Sequence, residues 1–188
     1  MNEDNRQAVH FAVGVIAILI VAFVGFNTAL VIFSALFLIG LCLANYKLLG
    51  GKVKFVDKFL QAFDREERIP AAGAMFYAAG ILMILTYARS IEFAFGIIAL
   101  QAAGDAFATV VGSRFQRGWK LPWNSEKTYP GMLAFIVTGS AAAWIFLPFQ
   151  EAVVFGVILA IVETLPINLD DNLSVPIAAL ILKRGMGL

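Results

Sequence analysis

The sequence has little charge, almost no cysteine and no large excess of charge of either sign. Charged side chains make up 14% of the 188 residues, whereas a soluble globular domain carries about 25%. Cys42 is the only cysteine, which excludes a disulfide scaffold. Fourteen basic residues face 13 acidic ones, so the net positive charge of a nucleic-acid-binding protein is lacking. Hydrophobic residues, in contrast, reach 61%. This excess excludes disorder and indicates an integral membrane protein.

Long apolar runs divide the chain into predicted transmembrane helices. A hydrocarbon core about 30 Å thick takes roughly 20 apolar residues as a helix. The first run is too long for one crossing, and the turn-forming residues Gly25 and Asn27 mark a break within it. The sequence therefore predicts an all-α membrane protein with a single bundle of six to seven transmembrane helices. The predicted spans are 8–25, 28–46, 69–88, 91–111, 129–148 and 151–167, with a short last segment at 173–182.

Lys and Arg are distributed unevenly between the two ends of these spans. Positive charge concentrates in the cytoplasmic segments of membrane proteins. With the N-terminus in the cytoplasm, eleven of the 14 basic residues fall on the cytoplasmic side. The bias predicts a multi-pass protein whose segments 47–68, 112–128 and 168–172 all face the cytoplasm. The acidic start of the chain and the absence of a cleavage site predict that there is no signal peptide.

Acidic residues inside or beside the predicted spans point to a functional site. An Asp at the centre of a span costs roughly 2.5–3.5 kcal/mol, so such residues usually face a cavity or a partner. Asp105 and Glu163 both fall in the inner third of the membrane, and Asp170, Asp171 and Asn172 follow at the inner mouth of the last two segments. We expect these side chains to gather at the cytoplasmic face.

Acidic residues beside a basic loop have the composition that phosphoryl transfer requires. Mg²⁺ typically binds one or two carboxylates together with substrate phosphates, and the expected ligands are Asp105, Asp170 and Asp171. Arg114 and Lys127 are expected to hold phosphate oxygens. A phosphoryl-transfer site combines a metal ion, cationic groups that hold the phosphates and a positioned base. The structural alternative is that a buried Asp pairs with an Arg and that the loop acids are merely solvated.

Several further residues are expected near the same face. His10 either lies at the membrane interface or takes part in proton transfer. Arg68 is the residue of the charged run 64–68 that is best placed to reach phosphate. Pro166 and Pro176 are expected to break the last two segments, which frees backbone groups that a neighbour or a cavity must satisfy.

A stripe of small residues is expected to contribute to packing. Gly104, Ala108 and Gly112 recur every four residues, and this spacing lets two membrane helices approach closely.

Short stretches of the chain resemble the signature motifs of one enzyme family. The stretches 104–115 and 126–131 are similar to the "GD…A…G" helix and the "K-T-x-x-G" turn of dolichol kinases, phytol kinases and the CTP-dependent diacylglycerol kinase. Glu163 and the stretch 170–176 resemble the "E…DN…P" ending of this polyprenol kinase family. The motifs occur in the family's order over residues 104–176.

The N-terminal part of the chain resembles the family more loosely. Arg6 and His10 are similar to the "R-K-x-x-H" motif, with Gln7 in place of the basic residue. Pro130 stands where the turn motif usually has Glu, a change that affects the geometry expected of the turn.

The resemblance implies a membrane enzyme that moves a phosphoryl group from a nucleoside triphosphate, typically CTP, to a lipid alcohol. Together with the Mg²⁺ ligands expected above, it makes the hypothesis an Mg²⁺-dependent lipid alcohol kinase. It adds nucleotide-binding roles for Gly104, Thr128, Gly131 and Asn172 to those expected of Arg68, Arg114 and Lys127. The expected catalytic residues are Asp105, Lys127, Glu163 and His10.

The lipid remains open between an isoprenoid alcohol, such as dolichol, phytol or geranylgeraniol, and a diacylglycerol-like lipid. Neither the lipid tail nor the oligomeric state is indicated by any residue pattern.

Two alternatives compete with the kinase. A cytidylyltransferase that makes a CDP-lipid would use the same parts, but its expected Ser/Arg and Lys-Asp pattern is not found in the chain. An ion-coupled transporter would also carry acids within its spans. Transporters often show internal repeats and a site at the midplane, whereas the acids here cluster towards one face. The kinase is therefore the favoured hypothesis.

Overall fold

Seven helices and one short hairpin form the part of the chain that the structure, a computed structural model, describes: residues 3–54, 57, 70–115 and 118–186. The expectation of an all-α membrane protein is confirmed. The helices are α1 (Glu3–Val24), α2 (Phe26–Leu48), α3 (Ala72–Tyr87), α4 (Ile91–Arg114), α5 (Tyr129–Trp144), α6 (Phe149–Thr164) and α7 (Asp171–Gly185). The strands are β1 (Lys120–Leu121) and β2 (Asn124–Thr128).

Among the described residues, three helices are long and apolar enough to cross a membrane: α1, α2 and α4. The chain turns between α1 and α2 at Gly25, whose φ of 79° is a conformation that glycine adopts readily. Large apolar side chains such as Phe23 and Val31 are exposed on these two helices. Exposed large apolar side chains also occur on α5 and α6, for example Leu133 and Ile161.

The centre of the bundle is α4, which packs against α5 along a glycine-rich interface. A Cβ atom on Gly104 would lie 3.0 Å from the Phe135 ring, and one on Gly139 would lie 3.1 Å from the Leu100 carbonyl oxygen. Phe135 is fully buried. The small residues therefore allow the close approach that membrane helices use for packing.

The last helix, α7, continues through Pro176, so the break expected at this residue is wrong. Pro176 is buried inside the helix, and its ring nitrogen cannot donate to the Asn172 carbonyl one turn earlier. Gly80 of α3 lies against this point, because a Cβ atom there would be 2.3 Å from that carbonyl oxygen. Packing against α3 thus covers the Asn172 carbonyl, which receives no helical hydrogen bond because residue 176 is a proline.

The basic segment 112–128, predicted to be a loop, contains the two-stranded hairpin. Its antiparallel strands pair Lys120 with Thr128. The hairpin is attached to the carboxyl end of α6, since the Asn124 amide donates to the Thr164 carbonyl at 3.0 Å. The Trp123 indole also donates to the Thr164 hydroxyl at 3.4 Å. These contacts hold β2 over the end of the bundle at which α7 begins.

Candidate functional site

Three carboxylates from three different helices converge at this end of the bundle. They belong to Asp105 of α4, Glu163 in the last turn of α6 and Asp171 at the start of α7. One oxygen from each lies within 4.8 Å of the others. Glu163 is only 5% exposed, whereas the two Asp residues are half-buried. Three acids at this separation repel one another and require nearby positive charge.

Lys127 of β2 supplies positive charge to this carboxylate cluster. Its ammonium forms an ion pair with Glu163 and lies 3.1 Å from Oδ2 of Asp171. Burial opposes the charge of the ammonium and lowers its pKa, but the Glu163 and Asp171 carboxylates outweigh burial and hold the pKa of Lys127 above its ordinary value. The side chain is therefore a cation throughout the physiological pH range.

The ends of α6 and α7 bring Glu163 and Asp171 together. Helix α6 ends at Thr164, and Leu165 is extended, as expected of a residue that precedes a proline. Asp170 then caps α7, because its side chain accepts the Asn172 backbone N–H at 3.0 Å. The positive end of the α7 dipole favours a carboxylate at Asp171.

His10 of α1 also lies beside the carboxylate cluster. Its Nε2 lies 3.4 Å from Oδ2 of Asp105, and its ring packs against Tyr77 of α3 with 4.2 Å between the ring centroids. Tyr77 is 5% exposed. The contact between α1 and α3 thus fixes the imidazole beside Asp105.

Tyr77 and Gln101 are site residues that the sequence reasoning missed. The Gln101 amide donates to Oδ1 of Asn172 at 3.4 Å. Gln101 precedes Asp105 by one helical turn, so both fall on one face of α4. A second polar residue at this spacing within an apolar helix was the available signal for Gln101. Tyr77 is embedded in an apolar run and had no comparable signal.

The turn 127–131 forms the start of α5. The Thr128 hydroxyl caps the helix by accepting the Gly131 N–H at 3.2 Å. Pro130 lies in the first turn, where helical N–H groups have no intrahelical acceptor. Gly131 allows α4 to approach, because a Cβ atom there would lie 3.0 Å from the Ala108 carbonyl oxygen. Thr128 and Gly131 therefore set the position of the adjacent Lys127.

A cavity of about 880 Å³ connects the cluster with an apolar region between α1, α2 and α3. Most of the residues singled out in the sequence line this cavity. They are His10, Asp105, Lys127, Thr128, Gly131, Glu163, Asp170, Asp171 and Asn172.

Three of the predicted catalytic, nucleotide-binding and metal-binding residues are not among the described residues that line the cavity. Gly104 is buried between α4 and α5. Arg114 is exposed at the carboxyl end of α4. Arg68 lies outside the described residues.

The fold and the site define an all-α membrane protein with an acidic, lysine-bridged cavity at one end of its bundle. Over 94% of its length, the chain is 30% identical to a probable phytol kinase of Glycine max, named as chloroplastic, and covers 61% of that protein. It is 25% identical to a chloroplastic farnesol kinase of Arabidopsis thaliana, over 93% of this chain and 62% of that protein. These similarities to phytol and farnesol kinases are consistent with the polyprenol kinase family that the sequence motifs resemble.

The chain spans about three-fifths of the length of these plant relatives. It is also 30% identical to an uncharacterised protein of Methanocaldococcus jannaschii, over 94% of this chain and 90% of that protein. No family model and no solved structure matches the chain.

Proposed function

We propose that the protein transfers a phosphoryl group from a nucleoside triphosphate to the hydroxyl group of a membrane lipid alcohol. The observation that carries this proposal is a single cavity in which a carboxylate cluster and Lys127 adjoin an apolar region. A charged nucleotide suits the first part and a hydrocarbon chain the second. The plant relatives named as phytol and farnesol kinases support the same reaction class.

In the proposed reaction, the lipid hydroxyl oxygen forms a bond to the γ-phosphorus while the bond from that phosphorus to the β–γ bridging oxygen breaks. His10 accepts the hydroxyl proton, and the nucleoside diphosphate leaves. His10 is favoured over Glu163 as the base because the Glu163 carboxylate is engaged by Lys127. His10 also lies between Asp105 and Tyr77, at the junction of the polar and apolar parts of the cavity.

Lys127 neutralises the charge that develops on the departing phosphate. Phosphoryl transfer depends mainly on positioning and on electrostatic stabilisation, and an ammonium held by two carboxylates is both fixed and charged. The cap formed by Thr128 and the attachment of the hairpin through Asn124 keep β2 in place. We assign nucleotide binding to this end of the cavity, with Thr128, Gly131 and Asn172 in its wall.

We further propose that the reaction depends on Mg²⁺. Asp105, Glu163 and Asp171 would hold the ion, since their oxygens lie within 4.8 Å of one another and carboxylate oxygens suit this cation. Bound there, Mg²⁺ supplies positive charge next to the nucleotide phosphates. Asp170, an expected ligand, caps α7 and so orients the neighbouring Asp171.

The proposed donor is CTP and the proposed acceptor is an isoprenoid alcohol. The donor rests on the motif resemblance, and the acceptor is supported by the names of the plant relatives. We propose a multi-pass topology with the site at the cytoplasmic face, because the N-terminal end of α1 and the basic hairpin segment lie at the same end of the bundle as the site.

The test is an assay of the full chain in lipid nanodiscs with radiolabelled CTP or ATP, Mg²⁺ and a panel of lipid alcohols. The panel contains farnesol, phytol, geranylgeraniol, dolichol and diacylglycerol. We expect a phosphorylated isoprenoid alcohol and CDP in equal amounts. Release of pyrophosphate would instead indicate a cytidylyltransferase. No transfer to any alcohol, with either nucleotide, would overturn the proposal.

A further inference from the structure

The apolar part of the cavity lies between the first three helices. Val13 of α1, Phe33 and Leu36 of α2, and Ala78 and Ile81 of α3 contribute to its walls. These side chains offer no hydrogen-bonding group, so a polar ligand gains nothing there. The region is continuous with the carboxylate cluster, because His10 and Tyr77 line the same cavity.

The exposure of the lining residues shows how this region opens. Val13 and Leu36 are 41% and 53% exposed, whereas Phe33 and Ile81 are 7% and 4% exposed. The region therefore runs from an inner end at Phe33 and Ile81 to a rim on α1 and α2. Both helices are long and apolar enough to cross a membrane and expose large apolar side chains, so a lipid chain would enter over this rim from the bilayer.

Small side chains on α3 create the space for such a chain. Ala74 and Ala78 are four residues apart and so share a face of the helix, and Ile81 follows on the same side. The rise from Ala74 to Ile81 is about 10 Å. A groove of this length holds the part of a lipid that lies next to its hydroxyl group, while the remainder stays in the bilayer.

We propose that Ala74 and Ala78 line a binding groove for the hydrocarbon chain of the lipid alcohol, with the half-buried Ala78 deeper than the exposed Ala74. In this assignment, which rests on the proposed function, Ala78 is a specificity-determining residue. It limits the bulk of the chain next to the hydroxyl. One cavity of about 880 Å³ also has to receive the nucleotide. The groove thus admits one chain segment and disfavours two acyl chains joined at a glycerol.

The first experiment compares two substitutions of equal size on neighbouring residues of α3. Ala78→Leu fills the groove, whereas Ala79→Leu changes a residue outside the cavity lining. We expect Ala78→Leu to raise the KM for farnesol or phytol about tenfold or more, because pocket selectivity for one or a few methylenes reaches that range. The KM for the nucleotide should stay within twofold, and Ala79→Leu should leave both values within twofold.

A binding experiment keeps the groove testable if Ala78→Leu fails to fold. Unmodified protein in nanodiscs is irradiated with a farnesol analogue that carries a diazirine on the isoprene unit next to the hydroxyl, and labelled residues are mapped by mass spectrometry. We expect label within residues 33–36 and 74–81, and competition by unlabelled farnesol. Label confined to other helices, or equal effects of both leucine variants on the lipid KM, would overturn the groove.

The two proposals fail in distinguishable ways. If the protein phosphorylates no alcohol but the probe labels α2 and α3 with competition, the kinase proposal fails and the groove stands. If phosphorylation proceeds and the label lies elsewhere, the kinase stands and the groove fails.

Discussion

The two halves of the molecule are packed in different ways. Helices α4 to α7 are held together by close helix contacts, with fully buried residues such as Phe135 and Phe155 between them. Helices α1 and α2 are covered far less than α4 by the rest of the protein, and large apolar side chains are exposed along their length. The carboxylates of the site come from α4, α6 and α7, whereas the apolar groove has its walls on α1, α2 and α3.

This difference suggests a division of roles within one cavity. Phosphoryl transfer needs groups held in fixed positions, and the tightly packed half provides them. The lipid chain of the proposed substrate needs space and access from the bilayer, and we assign both to the less covered half. Substitutions in the first half should therefore impair chemistry or folding, whereas those in the second should alter recognition of the lipid.

The largest expected effect is that of Asp105→Asn in the packed half. The substitution keeps the shape of the side chain but removes one of the three clustered charges. We expect kcat to fall by about 10²–10³-fold, as for the loss of one electrostatic group in a preorganised site. The thermal unfolding midpoint should change little. Near-normal kcat in the CTP assay would contradict the assignment of Asp105 to the site.

The packing of the two halves can be compared directly with two Phe→Ala substitutions. Phe135 is fully buried between α4 and α5, whereas Phe23 is 84% exposed on α1. Removing a buried Phe side chain costs about 3–5 kcal/mol, so Phe135→Ala should strongly lower the free energy of unfolding in detergent. Phe23→Ala should leave it nearly unchanged. Equal losses for the two variants would contradict the comparison.

A smaller effect is expected where the two halves meet, at the contact of α3 with α7. Gly80→Ala places a Cβ atom against the Asn172 carbonyl oxygen, and overpacking of this kind costs about 1–3 kcal/mol. Gly73→Ala, on the same helix, is the matched control because its Cβ meets no atom within 4 Å. We expect a lower unfolding midpoint for Gly80→Ala alone. Matching midpoints for the two variants would show that this contact can relax.

The smallest effect concerns the charge of Lys127 and its dependence on pH. The pKa of Lys127 is raised in the folded state. The stability due to its charge is therefore fully present below the unfolded lysine pKa of about 10.4. This contribution is lost only as the pH rises through the higher folded value. The difference in unfolding midpoint between the wild type and Lys127→Arg should thus stay constant from about pH 7 to 10.

The matched residue in this comparison is Arg, which stays charged throughout that range. If the unfolding midpoint of the wild type fell relative to that of Lys127→Arg at pH values still below about 10, the ammonium would not be stabilised by Glu163 and Asp171.

Much of the site could be foreseen because each residue carries a local signal. Asp105 and Glu163 stand out as acids within apolar runs, and helical rise places both towards one end of the bundle. The hairpin gave no such signal, since the paired strands at Lys120–Leu121 and Asn124–Thr128 are short and polar. Its position depends on a side-chain contact of Asn124 with α6.

The sequence by itself determined the membrane class, the helical architecture and the acids expected at one face, because hydrophobicity and helical spacing are local properties. Only the tertiary structure decided which groups meet: Lys127 with Glu163 and Asp171, and His10 with Asp105. It also decided that α7 continues through Pro176. These outcomes depend on how closely helices approach, and that distance is set by residues far apart in the chain, such as Gly80 and Asn172.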